Sequence, residues 1–272
     1  SAQNRELQML GRIHSYEEFL TTYQMIRQSG MDQINIDVMA AIPEQTLESY
    51  QDTLEKIVSL NPEHISSYSL IIEPGTVFGD WEKNGTLKHV DEDVDRQMYE
   101  WTGKYLQHMG YQRYEISNYC RDGMECRHNC VYWSGGEYLG LGVNASSYLT
   151  GYRFQAPVSQ KTYRSYVDRI CVLAEKESEG LKKAVQEMDE LEFIDRRAQM
   201  EEFMFLGLRM MAGVSEQEFY QRFGISMMEV YGDIIKKYQN MDLLCRRDTG
   251  RVALTEKGID VSNSILSDFL LN

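Results

Sequence analysis

The feature that most constrains this chain is the alternation of two hydrophobic periods along its first seventy residues. Ser15 followed by Glu18 has the form of a helix-capping box, and residues 16–28 then place Phe19, Tyr23 and Ile26 on one helical face, with Gly30 as the stop. Residues 34–39, Ile-Asn-Ile-Asp-Val-Met, are short and β-branched and predict a strand. After Pro43, Thr46 caps a second helix whose Tyr50, Leu54, Ile57 and Val58 share a face, and Asn61-Pro62 ends it before a second strand at 64–70. Helices and strands joined this closely favour parallel strands covered by helices. That pattern suits a barrel or an open doubly wound sheet, and periodicity does not choose between them. A long helix at 92–109, ended by Gly110, and further strands at 114–117 and 148–155 continue the α/β texture.

Past Lys182 the texture changes. A long amphipathic helix is expected over 191–211, a short one from Ser215 to Gly224, and a third capped by Ser226 and running to Asn240. Asp248-Thr249-Gly250 between two apolar runs predicts a hairpin, and Thr255 caps a closing helix that buries Ile259, Ile265 and Phe269. Three helices, a hairpin and a last helix make a winged-helix-like domain at 181–272, after an α/β domain at 1–180.

A winged helix raises the question of nucleic acid. The chain carries a formal charge of −14, and residues 191–272 hold 13 acids against 10 bases. A DNA reader is normally basic, so no nucleic-acid partner is expected. No apolar run approaches the roughly 20 residues of a membrane span, and a cytoplasmic protein is the expectation. Five irregularly spaced cysteines do not suggest a disulfide framework.

Three segments could carry chemistry. Arg12 in Leu-Gly-Arg-Ile-His (10–14) could clamp a carboxylate, and Asp37, near the carboxyl end of the first strand, could take a ribose hydroxyl or an amine. The same two residues would equally serve as a structural ion pair. Residues 126–133, Cys-Arg-His-Asn-Cys-Val-Tyr-Trp, concentrate thiol, imidazole, amide and aromatic groups. Haem contact through His128, zinc binding by Cys120, Cys126, His128 and Cys130, and a structural plug are the competing readings. Residues 138–147 contain Gly140 and Gly142, which suit either an anion contact or a tight turn into a strand.

Taken in order, segments 10–14, 34–46, 64–76, 110–119, 125–133 and 138–147 resemble the haem-chaperone branch of the radical-SAM, oxygen-independent coproporphyrinogen III oxidase-like family, and 191–270 resembles that family's C-terminal helical domain. The resemblance implies the C-terminal part of a partial (β/α)6 radical-SAM barrel followed by the winged-helix-like domain. It implies S-adenosylmethionine and a [4Fe–4S] cluster as cofactors of the complete protein. Arg12 and Asp37 match residues that contact S-adenosylmethionine, and Ile71 matches a backbone contact. His128, Asn129, Tyr132 and Trp133 match a segment associated with haem. The implied partners are haem or porphyrin and a haem-receiving protein, with a membrane-associated recipient among the candidates.

The departures from the family pattern carry expectations of their own. No Cys-x3-Cys-x2-Cys occurs in the sequence, so the cluster-binding N-terminal part is expected to be missing and the chain alone to lack radical chemistry. Ala41-Ile42-Pro43 stands where the family has Gly-Leu-Pro. An open strand edge near 34–39 is expected to be covered, a second copy of the chain being one candidate. Two activities belong to the family: binding and delivering haem, which the His-Asn…Tyr-Trp segment favours, and oxidative decarboxylation of coproporphyrinogen III.

Overall fold

The computed structural model describes residues 1–176 and 191–271 and divides into two compact units, Ser1–Cys126 and Arg127–Asn272. The domain boundary expected at 180/181 lies outside the described residues.

The first unit opens with α1 (Asn4–Met9), α2 (Tyr16–Gln28), β1 (Asn35–Ala40), α3 (Leu47–Ser59) and β2 (His64–Ser69). It continues with α4 (Val77–Lys83), α5 (Glu92–His108), β3 (Gln112–Arg113) and β4 (Asn118–Cys120). The expected caps act as read: Ser15 and Glu18 close a reciprocal capping box on α2, and Thr46 pairs with Ser49 at the head of α3. β1 and β2 are parallel, with Asn35 opposite His64, Asp37 opposite Ser66 and Met39 opposite Tyr68. Their alternate residues Ile36, Val38, Ala40 and Ile65 join Tyr50, Leu54, Ile57 and Val58 of α3 and Met98 and Leu106 of α5 in one apolar core. The other face of the two strands is polar, and this is the face that matters for function.

Two expectations change. Residues 114–117 do not form a strand but a turn, and the sheet order is β1-β2-β4-β3 with β4 antiparallel to both neighbours. The cause is local: the Ser117 N–H donates to the Glu115 carboxylate at 2.8 Å, folding the backbone back on a buried acid. β1 is the outer strand of this sheet among the described residues, so the edge foreseen at 34–39 is open there.

The second unit begins with α6 (Arg127–Trp133), a helix where an irregular loop was expected. β5 (Ser146–Leu149) and β6 (Tyr152–Gln155) replace the single strand read at 148–155. Thr150 at φ +52° and Gly151 at φ +82° give the two consecutive left-handed residues that a tight hairpin requires. α7 (Gln160–Lys176) follows, and β7 (Glu192–Phe193) adds to β6. The C-terminal fold is α8 (Arg196–Gly207), β8 (Val214–Ser215), α9 (Glu216–Phe223), α10 (Met227–Asn240), β9 (Leu244–Arg247), β10 (Arg251–Leu254), α11 (Glu256–Asp260) and α12 (Ser262–Ser267). Three antiparallel strands, ordered β8-β10-β9, carry the expected wing. The first helix is shorter than the periodicity suggested because Asp195 caps it, accepting from the Ala198 N–H at 2.8 Å. The last helix is broken at Val261, whose φ of −118° is not helical. Phe203, Phe219, Phe223, Tyr231 and Phe269 interlock inside this fold through edge-to-face and tilted ring contacts.

Candidate functional site

In the first unit the chain leaves α1 through Gly11 at φ +67°. The Arg12 N–H reaches back to the Leu7 carbonyl at 2.9 Å and the Gly11 N–H to that of Gln8 at 2.9 Å, a Schellman closure. That turn brings Arg12 and His14 beside β1. Arg12, His14, Asp37 and Tyr68 line one pocket of about 200 Å³, with Leu10 and Met39 as part of its apolar wall. Burial pushes the Tyr68 phenol above its ordinary range; the Asp37 charge adds to the rise and the Arg12 charge opposes it. Cation, carboxylate and phenol therefore act on one another in a single depression. Ile71 lies away from this lining, in the loop after β2, and is 75% exposed.

The donor set fits one part of a zwitterionic, ribose-bearing ligand: a guanidinium for a carboxylate, a carboxylate for hydroxyls or an amine. The volume is below the roughly 300–1,000 Å³ of sites that enclose a whole ligand, so the pocket has room for only a portion of such a molecule. The cluster is a different matter. Among the described residues no three His, Cys, Asp or Glu side chains converge as a metal-ligand set, so Cys120, Cys126, His128 and Cys130 do not form the zinc site considered from sequence. Nor do the described residues offer a ligand set for an iron–sulfur cluster.

In the second unit, α6 divides its side chains between two tasks. His128 is exposed, and its Nε2 lies 3.1 Å from the Tyr132 hydroxyl one helical turn on, with the rings edge to face at 4.8 Å. Tyr132 meets Tyr138 at 4.5 Å, and Tyr138 meets Tyr148 at 6.4 Å. The Tyr138–Tyr148 pair is held by two backbone hydrogen bonds of 2.9 Å. Asn129 is half-buried on the same helix. Trp133 turns the other way, with the Arg209 guanidinium 4.5 Å from its ring centroid, and it anchors α6 on α8.

Residues 194–261 match the family model described as the HemN C-terminal domain. The chain is 34% identical over 271 residues to the haem chaperone HemW of Lactococcus lactis, covering 99% of this chain and 66% of that protein. It is 33% identical to haem chaperone HemW of Bacillus subtilis, with 97% and 66% covered. The chain is thus similar along nearly its whole length to haem chaperones named HemW, and in its C-terminal part to the HemN family. It spans just under two thirds of the length of these relatives. A mouse relative, the mitochondrial radical S-adenosyl methionine domain-containing protein 1, is 29% identical over 85% of this chain. The solved structure of coproporphyrinogen III oxidase (HemN) from Escherichia coli, a radical-SAM enzyme, superposes with a TM-score of 0.73 over 98% of this chain and 62% of that one. At 18% identity that likeness is one of fold. It supports the mixed α/β fold expected from the resemblance.

Sequence reading reached Arg12 and Asp37 but missed Tyr68 and His14. Tyr68 was available from parallel register: it is two places along from Ser66, beside Met39, on the face that Asp37 occupies.

Proposed function

We propose that this chain is part of a cytoplasmic protein that holds S-adenosylmethionine at the Arg12–Asp37 pocket, binds haem at α6 and passes the haem to a haem protein. The observation that carries the haem assignment is the run His128, Tyr132, Tyr138 and Tyr148. An exposed imidazole at the head of a row of aromatic edges suits a flat iron porphyrin: nitrogen to the iron, rings against the macrocycle. Trp133 keeps α6 in place, and Asn129 is the remaining polar group of the segment. Similarity along nearly the whole chain to two haem chaperones supports the same reading. Coproporphyrinogen III decarboxylation rests on the likeness of fold alone. Among the described residues no helix is long and apolar enough to cross a membrane.

S-adenosylmethionine supplies, when bound, an amino-acid head group, a ribose and a cationic sulfonium. Arg12 would clamp the carboxylate with two parallel hydrogen bonds, Asp37 would accept from a hydroxyl or the amine, and Tyr68 would add a phenolic donor.

Delivery is tested by mixing the haem-loaded protein with an apo-globin and following the globin's Soret band. Direct transfer gives a rate that rises with globin concentration. A rate independent of the acceptor, set by release of haem into buffer, rejects delivery.

A further inference from the structure

The polar face of the first unit holds a chain of hydrogen bonds that ends in the pocket. The Tyr114 hydroxyl lies 2.8 Å from His64 Nε2, and His64 Nδ1 lies 2.6 Å from Asn35 Oδ1. Asn35 Nδ2 donates to Asp37 Oδ1 at 2.6 Å, and the Ser66 hydroxyl donates to Asn35 Oδ1 at 3.1 Å. His64, Tyr114 and Ser66 are at most 9% exposed, whereas Asp37 is open to solvent in the pocket. The chain therefore runs from a buried phenol to an exposed carboxylate, across β1, β2 and the turn before β4.

Its polarity follows from one charge. An ionised carboxylate only accepts hydrogen bonds, so the Asn35 amide must present its NH2 to Asp37. The opposite amide orientation would set two oxygens 2.6 Å apart. With Oδ1 then turned to the ring, His64 must carry its proton on Nδ1, and Nε2 must accept from the Tyr114 O–H. Ser66 reinforces that setting by donating to the same Asn35 oxygen.

We propose that Asn35, His64 and Tyr114 form a proton-ordered relay whose task is to fix the Asp37 carboxylate toward the ligand of the Arg12 pocket. The inference deepens the proposed S-adenosylmethionine site and takes the ligand's identity from it. Asn35, His64 and Tyr114 are positioning residues: they act through Asp37. A carboxylate on a strand facing open space would otherwise sample several rotamers. Locking it beforehand removes an ordering cost from binding.

The test reads His64 directly. Nitrogen-15 NMR of the 272-residue chain at neutral pH is expected to find the imidazole in the Nδ1–H form. Asp37→Asn, at an exposed position, removes the charge that sets the polarity and is expected to shift the ring to a mixture of tautomers. An Nε2–H ring in the wild type, or a tautomer unchanged by Asp37→Asn, overturns the relay. Calorimetry with S-adenosylmethionine supplies the second readout. His64→Leu is expected to weaken binding about tenfold, the worth of one well-made hydrogen bond, while His64→Asn, which keeps a donor near the Nδ1 position, retains it. Equal affinity in wild type and His64→Leu overturns the positioning role. If the wild-type chain does not bind S-adenosylmethionine but the tautomer responds as expected, the relay stands and the assignment of its ligand falls.

Discussion

Replacing Tyr231 by Phe is expected to stabilise the protein, and replacing Tyr50 by Phe to destabilise it. Both tyrosines are completely buried. The Tyr231 hydroxyl has no hydrogen-bond partner among the described residues, while its ring packs on Phe219 and Phe269. Burial pushes its phenol far above the ordinary range. A buried hydroxyl left unpaired costs about 1–3 kcal/mol, and Phe keeps every ring contact. After allowing for the dispersion lost with one oxygen, Tyr231→Phe should gain about 1 kcal/mol, roughly 2–4 °C in Tm. Tyr50 is the control. Its hydroxyl lies 2.6 Å from the Thr102 oxygen and 2.8 Å from that of Ser67. The Thr102 proton is committed to the Met98 carbonyl at 2.7 Å, so Tyr50 donates to Thr102 and accepts from Ser67. Burial raises this phenol to about 12, its two partners pulling it back down. Tyr50→Phe breaks both bonds, strands the Ser67 donor and should cost about 1–2 kcal/mol. Urea unfolding followed by fluorescence and circular dichroism measures each change. If Tyr231→Phe loses as much stability as Tyr50→Phe, the Tyr231 hydroxyl is satisfied and the reasoning fails.

Three further outcomes follow from the same physics. Ala41 occupies φ +55°, so Ala41→Gly should raise stability by about 0.5–1 kcal/mol in thermal melts; a loss would mean the methyl packs usefully. At Gly213, φ +70°, a Cβ would meet the Val252 carbonyl oxygen at 2.1 Å, so Gly213→Ala should cost more than about 2 kcal/mol and open the wing in hydrogen exchange. Burial lowers the His64 pKa from 6.5, the Asp37 charge opposing this in part, so the unfolded chain binds the proton more readily. Stability from this group is complete above about pH 6.5 and falls as the pH drops toward the folded value, by at most about 1.4 kcal/mol per pH unit. His64→Asn should remove that acid-side slope, and an unchanged slope would assign it to other groups.

Most of the fold was legible because its signals are local. Ser15, Thr46, Ser226 and Thr255 cap helices where the sequence placed them, since a cap needs only its own first turn. The misreadings share a cause. Residues 114–117 have strand composition, but the Glu115 carboxylate competes for the backbone and turns it. The left-handed pair Thr150-Gly151 splits what reads as one strand into a hairpin. Of the site, Arg12 and Asp37 were legible through their motifs, and the structure places them at one pocket. His64 was not, because its partners lie 29 and 50 residues away and only strand register brings them together. The helical form of 127–133 was hidden by a composition rich in residues that usually mark loops.

Haem binding at α6 is read out by a haem titration of the chain followed by absorbance. The wild-type chain is expected to show a saturable Soret shift at one haem per chain, and His128→Ala to lose at least about tenfold in affinity. Equal binding by wild type and His128→Ala, or no saturable binding by the wild type, would contradict the assignment of the haem site to this helix.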